Sequence, residues 1–216
     1  MADEKRLKNF WTKSVSKNWC HFPEDMPKDK VEKTLKWFRK HCVERVNFKS
    51  VNTALDWGCG GGLLAKELSK HTSVILLDIS QRSMNVAVSY SGNKNKSIVL
   101  GDDLANAESI DEKIDMINCY SVIQHFPSYD YWKKVVSIWR KLGPEYITVR
   151  TKVSSEIREA EDYYLNSKNF LNALILTKKE IKDCFGDKYK IDYWHEVDNP
   201  KHPYMDVFFI LKRKER

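Results

Sequence analysis

Asp56 opens the run Asp56-Trp57-Gly58-Cys59-Gly60-Gly61-Gly62, and a second acid, Asp78, closes the next apolar run. Glycines at 58, 60, 61 and 62 permit positive φ and let a ligand approach bare backbone. A helix opening at Leu63 would turn its free N–H groups toward the same spot. Asp78 would stand at the carboxyl end of a strand, where open α/β sheets bind their ligands and a carboxylate accepts hydrogen bonds from ribose hydroxyls. These residues describe a nucleotide site. It is not a dinucleotide fingerprint, because the sixth position counted from Gly58 is Leu63 rather than glycine. Nor is it a phosphate-cradling loop, because no lysine follows the glycines before Lys66. An acid heads the loop and no base lies inside it, so charge complementarity favours an ammonium or sulfonium over a polyphosphate.

The elements that must position these residues are legible on either side. Val51, Ala54 and Leu55 suit a short buried strand closed by Asp56, Leu63 to Leu68 a helix, and Val74 to Leu77 a second strand. Residues 130 to 142 place Trp132, Val135, Val136, Ile138 and Trp139 on one helical face, and Gly143-Pro144 stops that helix. Tyr146 to Val149 reads as a strand. Thr177 to Phe185 reads as a helix, with Thr177 and Glu180 forming a capping box. Tyr189 to Trp194 and Met205 to Leu211 would be the closing strands, and an amphipathic helix is predicted from Lys28 to Val46.

In this arrangement the chain resembles the class I S-adenosylmethionine-dependent methyltransferases, over roughly residues 50 to 152. Asp56 to Gly62 is similar to that family's first motif, and Asp78-Ile79-Ser80 to its ribose-binding acid. Ile98 to Leu104 is similar to the third motif, in which an acid meets the adenine amino group and an apolar residue packs on the ring. Asp115 to Tyr120 with Ser121 to Pro127 is similar to the fourth strand and its turn. The resemblance implies a Rossmann-like seven-stranded α/β sheet with helices on both faces and an antiparallel C-terminal hairpin. It implies a cofactor, S-adenosylmethionine, leaving as S-adenosylhomocysteine. It assigns cofactor binding to Trp11, Asp56, Gly58, Cys59, Gly60, Asp78, Ile79, Asp102, Asp103, Leu104 and Tyr120, and calls for no metal. A single domain is expected: a helical lid over 1–46, a cofactor core over 50–152, a specificity insertion over 153–176 and a closing helix and strands over 177–216.

Methyl transfer needs a nucleophile held near the methyl group and, where required, a base. His125 falls in the turn after the fourth strand, and its unperturbed pKa near 6.5 suits a base. It serves equally well as a turn residue that orders the pocket. Gln124 and Asp130 are lesser candidates. The fourth motif, Asn118-Cys119-Tyr120-Ser121, lacks the paired prolines of base amino-methyltransferases, which argues against exocyclic-amine methylation. Trp11 and Trp19 resemble an aromatic lid and suit cation–π enclosure of a sulfonium; they suit equally well the pinning of the N-terminal segment. Arg150, Lys152 and Arg158 suit an anionic acceptor; equally, Tyr163, Tyr164, Phe170 and Leu174 suit packing as a lid.

At 216 residues one domain with a substantial core is expected. Five scattered cysteines without a Cys-x-x-Cys pair indicate neither a zinc site nor a disulfide framework, and with the charged N-terminus they suit the cytoplasm. No apolar run reaches the roughly 20 residues that span a bilayer. The formal net charge of +7 admits nucleic acid, but the lysines are spread along the chain and only Lys212 to Arg216 form a run. The reading is a methyltransferase for an oxygen or nitrogen of a small-molecule acceptor. The alternative is an RNA or protein methyltransferase, or a methyltransferase-like RNA- or protein-binding subunit.

Overall fold

Runs such as Ala54-Leu55 and Val74 to Leu77 have no polar side to give to water, so they form strands buried on both faces. In the computed structural model these are β1 (Thr53–Trp57) and β2 (Ser73–Asp78). The structure describes residue 11 and residues 22–92, 96–100, 104–156, 158–159, 174–197 and 204–215. The remaining strands of the main sheet are β3 (Ser97–Val99), β4 (Met116–Tyr120), β5 (Tyr146–Val153), β8 (Tyr189–Val197) and β9 (Met205–Arg213). Their order is β3-β2-β1-β4-β5-β9-β8, while β6 (Arg158–Glu159) and β7 (Leu174–Ile175) make a separate two-stranded ribbon. The described residues fall into two compact units that divide between Asn118 and Cys119.

In the first unit β1 runs parallel between β2 and β4, with Asp56 opposite Leu76 on one side and Asn118 on the other. Around these strands lie α1 (Lys28–His41), α2 (Leu63–Leu68), α3 (Gln81–Ser91) and α4 (Ala105–Glu108). Ser80 caps α3, its hydroxyl accepting from Ser83 N–H at 3.2 Å, and Gly92 ends it in the left-handed region. Helix α1 stops at His41, short of the predicted Val46. Cys42 leaves helical geometry at φ −124°, and a 3-10 turn over Val43–Arg45 carries the chain onward. Val46 still reaches the core, though through that turn rather than a continuous helix. Arg39 at the end of α1 grips the Glu67 carboxylate of α2 at 2.7 and 2.8 Å, holding its pKa down at about 2.

In the second unit β9 pairs antiparallel with both β5 and β8. Strand β5 runs four residues past the predicted Val149, which brings Arg150 and Lys152 into the ladder opposite Phe208 and Asp206. Helix α5 (Tyr129–Leu142) buries Trp132, Val135, Val136, Ile138 and Trp139, the five residues of the expected stripe. Trp132 and Trp139 meet edge to face at 5.8 Å, and Phe185 of α6 (Lys178–Phe185) sits edge-on to Trp132 at 5.9 Å. Thr177 caps α6 as predicted, its hydroxyl accepting from Glu180 N–H at 3.0 Å. Glu180 does not complete the box: its carboxylate accepts from the Tyr129 hydroxyl instead. Among the described residues no helix is long and apolar enough to cross a membrane.

Candidate active site

The glycine loop is held from below by its neighbouring strand. Gly58 and Cys59 both donate to the Leu77 carbonyl, at 2.7 and 3.0 Å, so the chain turns tightly off β1 across the end of β2. Gly58, Gly60 and Gly62 take φ of 77°, 52° and 85°. Gly61 keeps negative φ, so its freedom is not used for the turn. Gly62 also departs from the expected ligand approach: a Cβ there would lie 2.9 Å from the Ala87 Cα. Its bare side lets α3 pack against the start of α2. Cys59 is buried in the loop, and burial together with the fields of Asp78 and Asp56 pushes its thiol well up, keeping it protonated.

Two buried carboxylates flank this loop. Asp78 Oδ2 accepts from Gly60 N–H and Oδ1 from Ser80 N–H, both at 2.8 Å. It ties the loop to the cap of α3, and each oxygen keeps lone-pair capacity for a ligand hydroxyl. Burial raises its pKa, opposed by the N–H groups of Ser80, Gly60 and Ile79. Asp56 is 2% exposed and differs in one respect. Its Oδ1 accepts from the Asn118 side-chain amide at 2.7 Å, but buried Oδ2 has no hydrogen-bond partner. Burial pushes its pKa up to about 7, with the Asn118 amide pulling it down and the Asp78 charge raising it. A buried carboxylate oxygen without a donor is destabilising unless something cationic or hydrogen-donating reaches it.

Ile79 is half-buried just beyond Asp78. Leu104 is buried at the head of α4, with φ 61° in the left-handed region that a leucine seldom adopts. Asp102 and Asp103 lie outside the described residues, as do Trp19, Tyr163, Tyr164 and Phe170. Trp11 is half-buried. The first unit therefore gathers Asp56, Gly58, Cys59, Gly60, Asp78 and Ile79 around one loop. Asn118 was not among the predicted ligands; a lone amide within the apolar run Met116 to Cys119 was its only signal.

The second unit carries Tyr120 and His125. Tyr120 ends β4, its ring edge-on to Phe208 at 6.0 Å, with the Arg150 guanidinium 5.7 Å from its centroid. Ser121 follows at φ 61°, again a non-glycine residue in the left-handed region. Its N–H donates to the Arg150 carbonyl at 2.7 Å, and its hydroxyl accepts from the Arg150 guanidinium. Asp206 Oδ1 lies 2.9 Å from Arg150 Nη2 and 3.8 Å from Lys152 Nζ, so one carboxylate faces two cations. Lys152 also sits 4.1 Å over the Tyr204 ring, and burial lowers its pKa. His125 is half-buried in a 3-10 turn over Ile123–His125, its backbone N–H donating to Val122 O at 2.8 Å. Gln124 is buried and accepts from the Thr151 hydroxyl at 3.1 Å, a structural commitment. Asp130 is exposed on the first turn of α5, paired with Lys133 at 2.6 Å.

Residues 54–145 match the methyltransferase domain family. A ubiquinone biosynthesis O-methyltransferase of Coxiella burnetii is 28% identical over 90 residues, covering 41% of this chain and 38% of that protein. The chain thus matches well under half the length of this relative. Among solved structures, magnesium protoporphyrin IX methyltransferase of Synechocystis PCC 6803, with S-adenosylhomocysteine bound, superposes with a TM-score of 0.69 at 14% identity, over 98% of this chain and 100% of that one. An S-adenosylmethionine-dependent methyltransferase of Leishmania major reaches 0.72 at 15% identity, over 97% and 82%.

Proposed function

We propose that this chain, whose residues 54–145 form a methyltransferase domain within the class I methyltransferase fold, transfers a methyl group from S-adenosylmethionine to an oxygen or nitrogen of a small-molecule acceptor. The observation that carries the reading is the buried, donorless Oδ2 of Asp56 beside the glycine loop. A polyphosphate would place negative charge against two buried carboxylates. The amino-acid tail of S-adenosylmethionine brings an ammonium, which donates hydrogen bonds to such an oxygen. The group fits the residues present. Asp56 would hold the ammonium, Asp78 the ribose hydroxyls, and Ile79 and Leu104 would offer apolar surface to the base. Bound there, the cofactor supplies an electrophilic methyl on a sulfonium.

His125, beyond the end of β4, is proposed either to take the acceptor proton or to order the turn that shapes the acceptor pocket. The names of the sequence relatives favour an oxygen acceptor. The Arg150, Lys152 and Asp206 cluster carries one more positive than negative charge among the described residues, which favours an acceptor bearing a carboxylate or phosphate. Cys42, Cys59 and Cys119 are buried and form no disulfide, which suits action in the reducing cytoplasm.

Calorimetry with S-adenosylhomocysteine tests the cofactor, and micromolar binding is expected. Folded protein that shows no heat at high micromolar ligand removes the reading. A turnover screen against metabolites, RNA and peptides then tests the acceptor. Lys152→Met should slow anionic acceptors at least tenfold and leave uncharged ones unchanged, and His125→Ala should lower turnover while sparing cofactor affinity. Turnover confined to RNA or peptides would replace the small-molecule reading.

A further inference from the structure

We infer that Asn118 is a positioning residue for the donor: by gripping one oxygen of Asp56 it aims the other at the ligand's ammonium, and so links cofactor affinity to the protonation of that carboxyl. The inference rests on the cofactor reading above. It adds a residue and a proton linkage which that reading does not require.

The geometry has three parts. Asn118 is fully buried on β4, directly opposite Asp56 across the parallel β1–β4 pair. Its amide donates to Oδ1 at 2.7 Å, which fixes the carboxylate's rotation about its own axis. Oδ2 is thereby left without a donor. An aliphatic residue at position 118 would satisfy the apolar strand equally well, but would leave both oxygens bare and the carboxyl free to rotate. The hydrogen bond favours the ionised form of Asp56 against burial and against the charge of Asp78. Asp78 at the end of β2 and the Cys59 thiol in the loop are the titratable groups whose fields couple to Asp56 among the described residues. Neither is cationic, so no described charge neutralises Asp56 in the ligand-free protein.

The sign of the linkage follows. Free Asp56 holds a proton at low pH, and an ammonium binds the ionised carboxylate. Binding therefore releases a proton where the free carboxyl is protonated, and affinity falls as pH falls. With a midpoint near 7 the loss between pH 8 and pH 6 is about tenfold. Removing the amide donor makes ionisation harder, so the midpoint rises by about one pH unit.

The test is calorimetry of S-adenosylhomocysteine from pH 5.5 to 9, in buffers of differing ionisation enthalpy. Wild-type protein should release about one proton per ligand at pH 6 and close to none at pH 8, above the Asp56 midpoint and below the range in which the ligand's own amine loses its proton. Asn118→Leu should shift the affinity profile upward by about one unit, and Asn118→Thr, which retains a donor, should lie between the two. 5′-Methylthioadenosine, which lacks the amino-acid tail, should bind with no such pH dependence. Should Asn118→Leu not fold, proton release by the wild-type protein still decides. Tight binding with no proton release, or an unshifted profile in both variants, overturns the inference and leaves the cofactor reading standing. Absence of binding at every pH removes the cofactor reading itself.

Discussion

A single carboxylate carries the sharpest consequence at the scale of residues. Asp56 is buried, has one hydrogen-bonded and one bare oxygen, and has a pKa raised to about 7. A folded-state pKa above the unfolded value means that this group's stability contribution is complete below about pH 4 and lost as pH rises to 7. At pH 8 the ionised side chain therefore destabilises the ligand-free protein, by roughly 2–4 kcal/mol. Asp56→Asn keeps the shape and can still accept from Asn118, but carries no charge. It should raise the melting temperature at pH 8 by about 5 °C or more, change it little at pH 4, and abolish S-adenosylhomocysteine binding. An equal rise at both pH values would show that charge is not the cause.

Among the elements, the strand-to-helix turns at the carboxyl ends of the strands hold the unusual backbone. Gly62 combines a φ of 85° with the close packing of Ala87. Gly62→Ala meets both a left-handed strain of about 1–2 kcal/mol and an overlap with backbone that cannot swing aside. A loss of roughly 2–4 kcal/mol, or about 5–10 °C in melting temperature, is expected from thermal unfolding. Gly61→Ala, whose φ is negative, should destabilise less; equal losses would refute this division of roles. Leu104 and Ser121 take positive φ without being glycine, one after β3 and one after β4.

For the molecule as a whole, part of the positive charge is locally paired. Lys70, Lys96, Lys113, Lys133, Lys179 and Arg140 each lie against an acid. Cations paired in this way add little to the contiguous field that draws in a phosphate backbone. Affinity for mixed-sequence RNA is therefore expected to be negligible at 0.15 M salt and weak at low salt, as measured by filter binding or fluorescence anisotropy. Tight binding with a steep salt slope would instead favour the nucleic-acid reading.

The sequence by itself determined the order of elements, the glycine turn and the acid at the end of β2. Each of these is written in residues close together along the chain: an apolar run, a run of glycines, a capping residue. It also placed the apolar stripe of α5 on one helical face, which the structure buries. Local pattern placed element ends less well. It ended β5 at Val149, carried α1 through to Val46, and credited Glu180 to its own cap rather than to Tyr129. Only the tertiary structure decided what the acids touch. The pairing of β1 with β4 sets Asn118 beside Asp56 from 62 residues away. The pairing of β5 with β9 likewise hands Asp206 to Arg150 and Lys152. Hydrogen bonding and burial fix the charge of a carboxylate, and both depend on which strands become neighbours, which no local run of residues records.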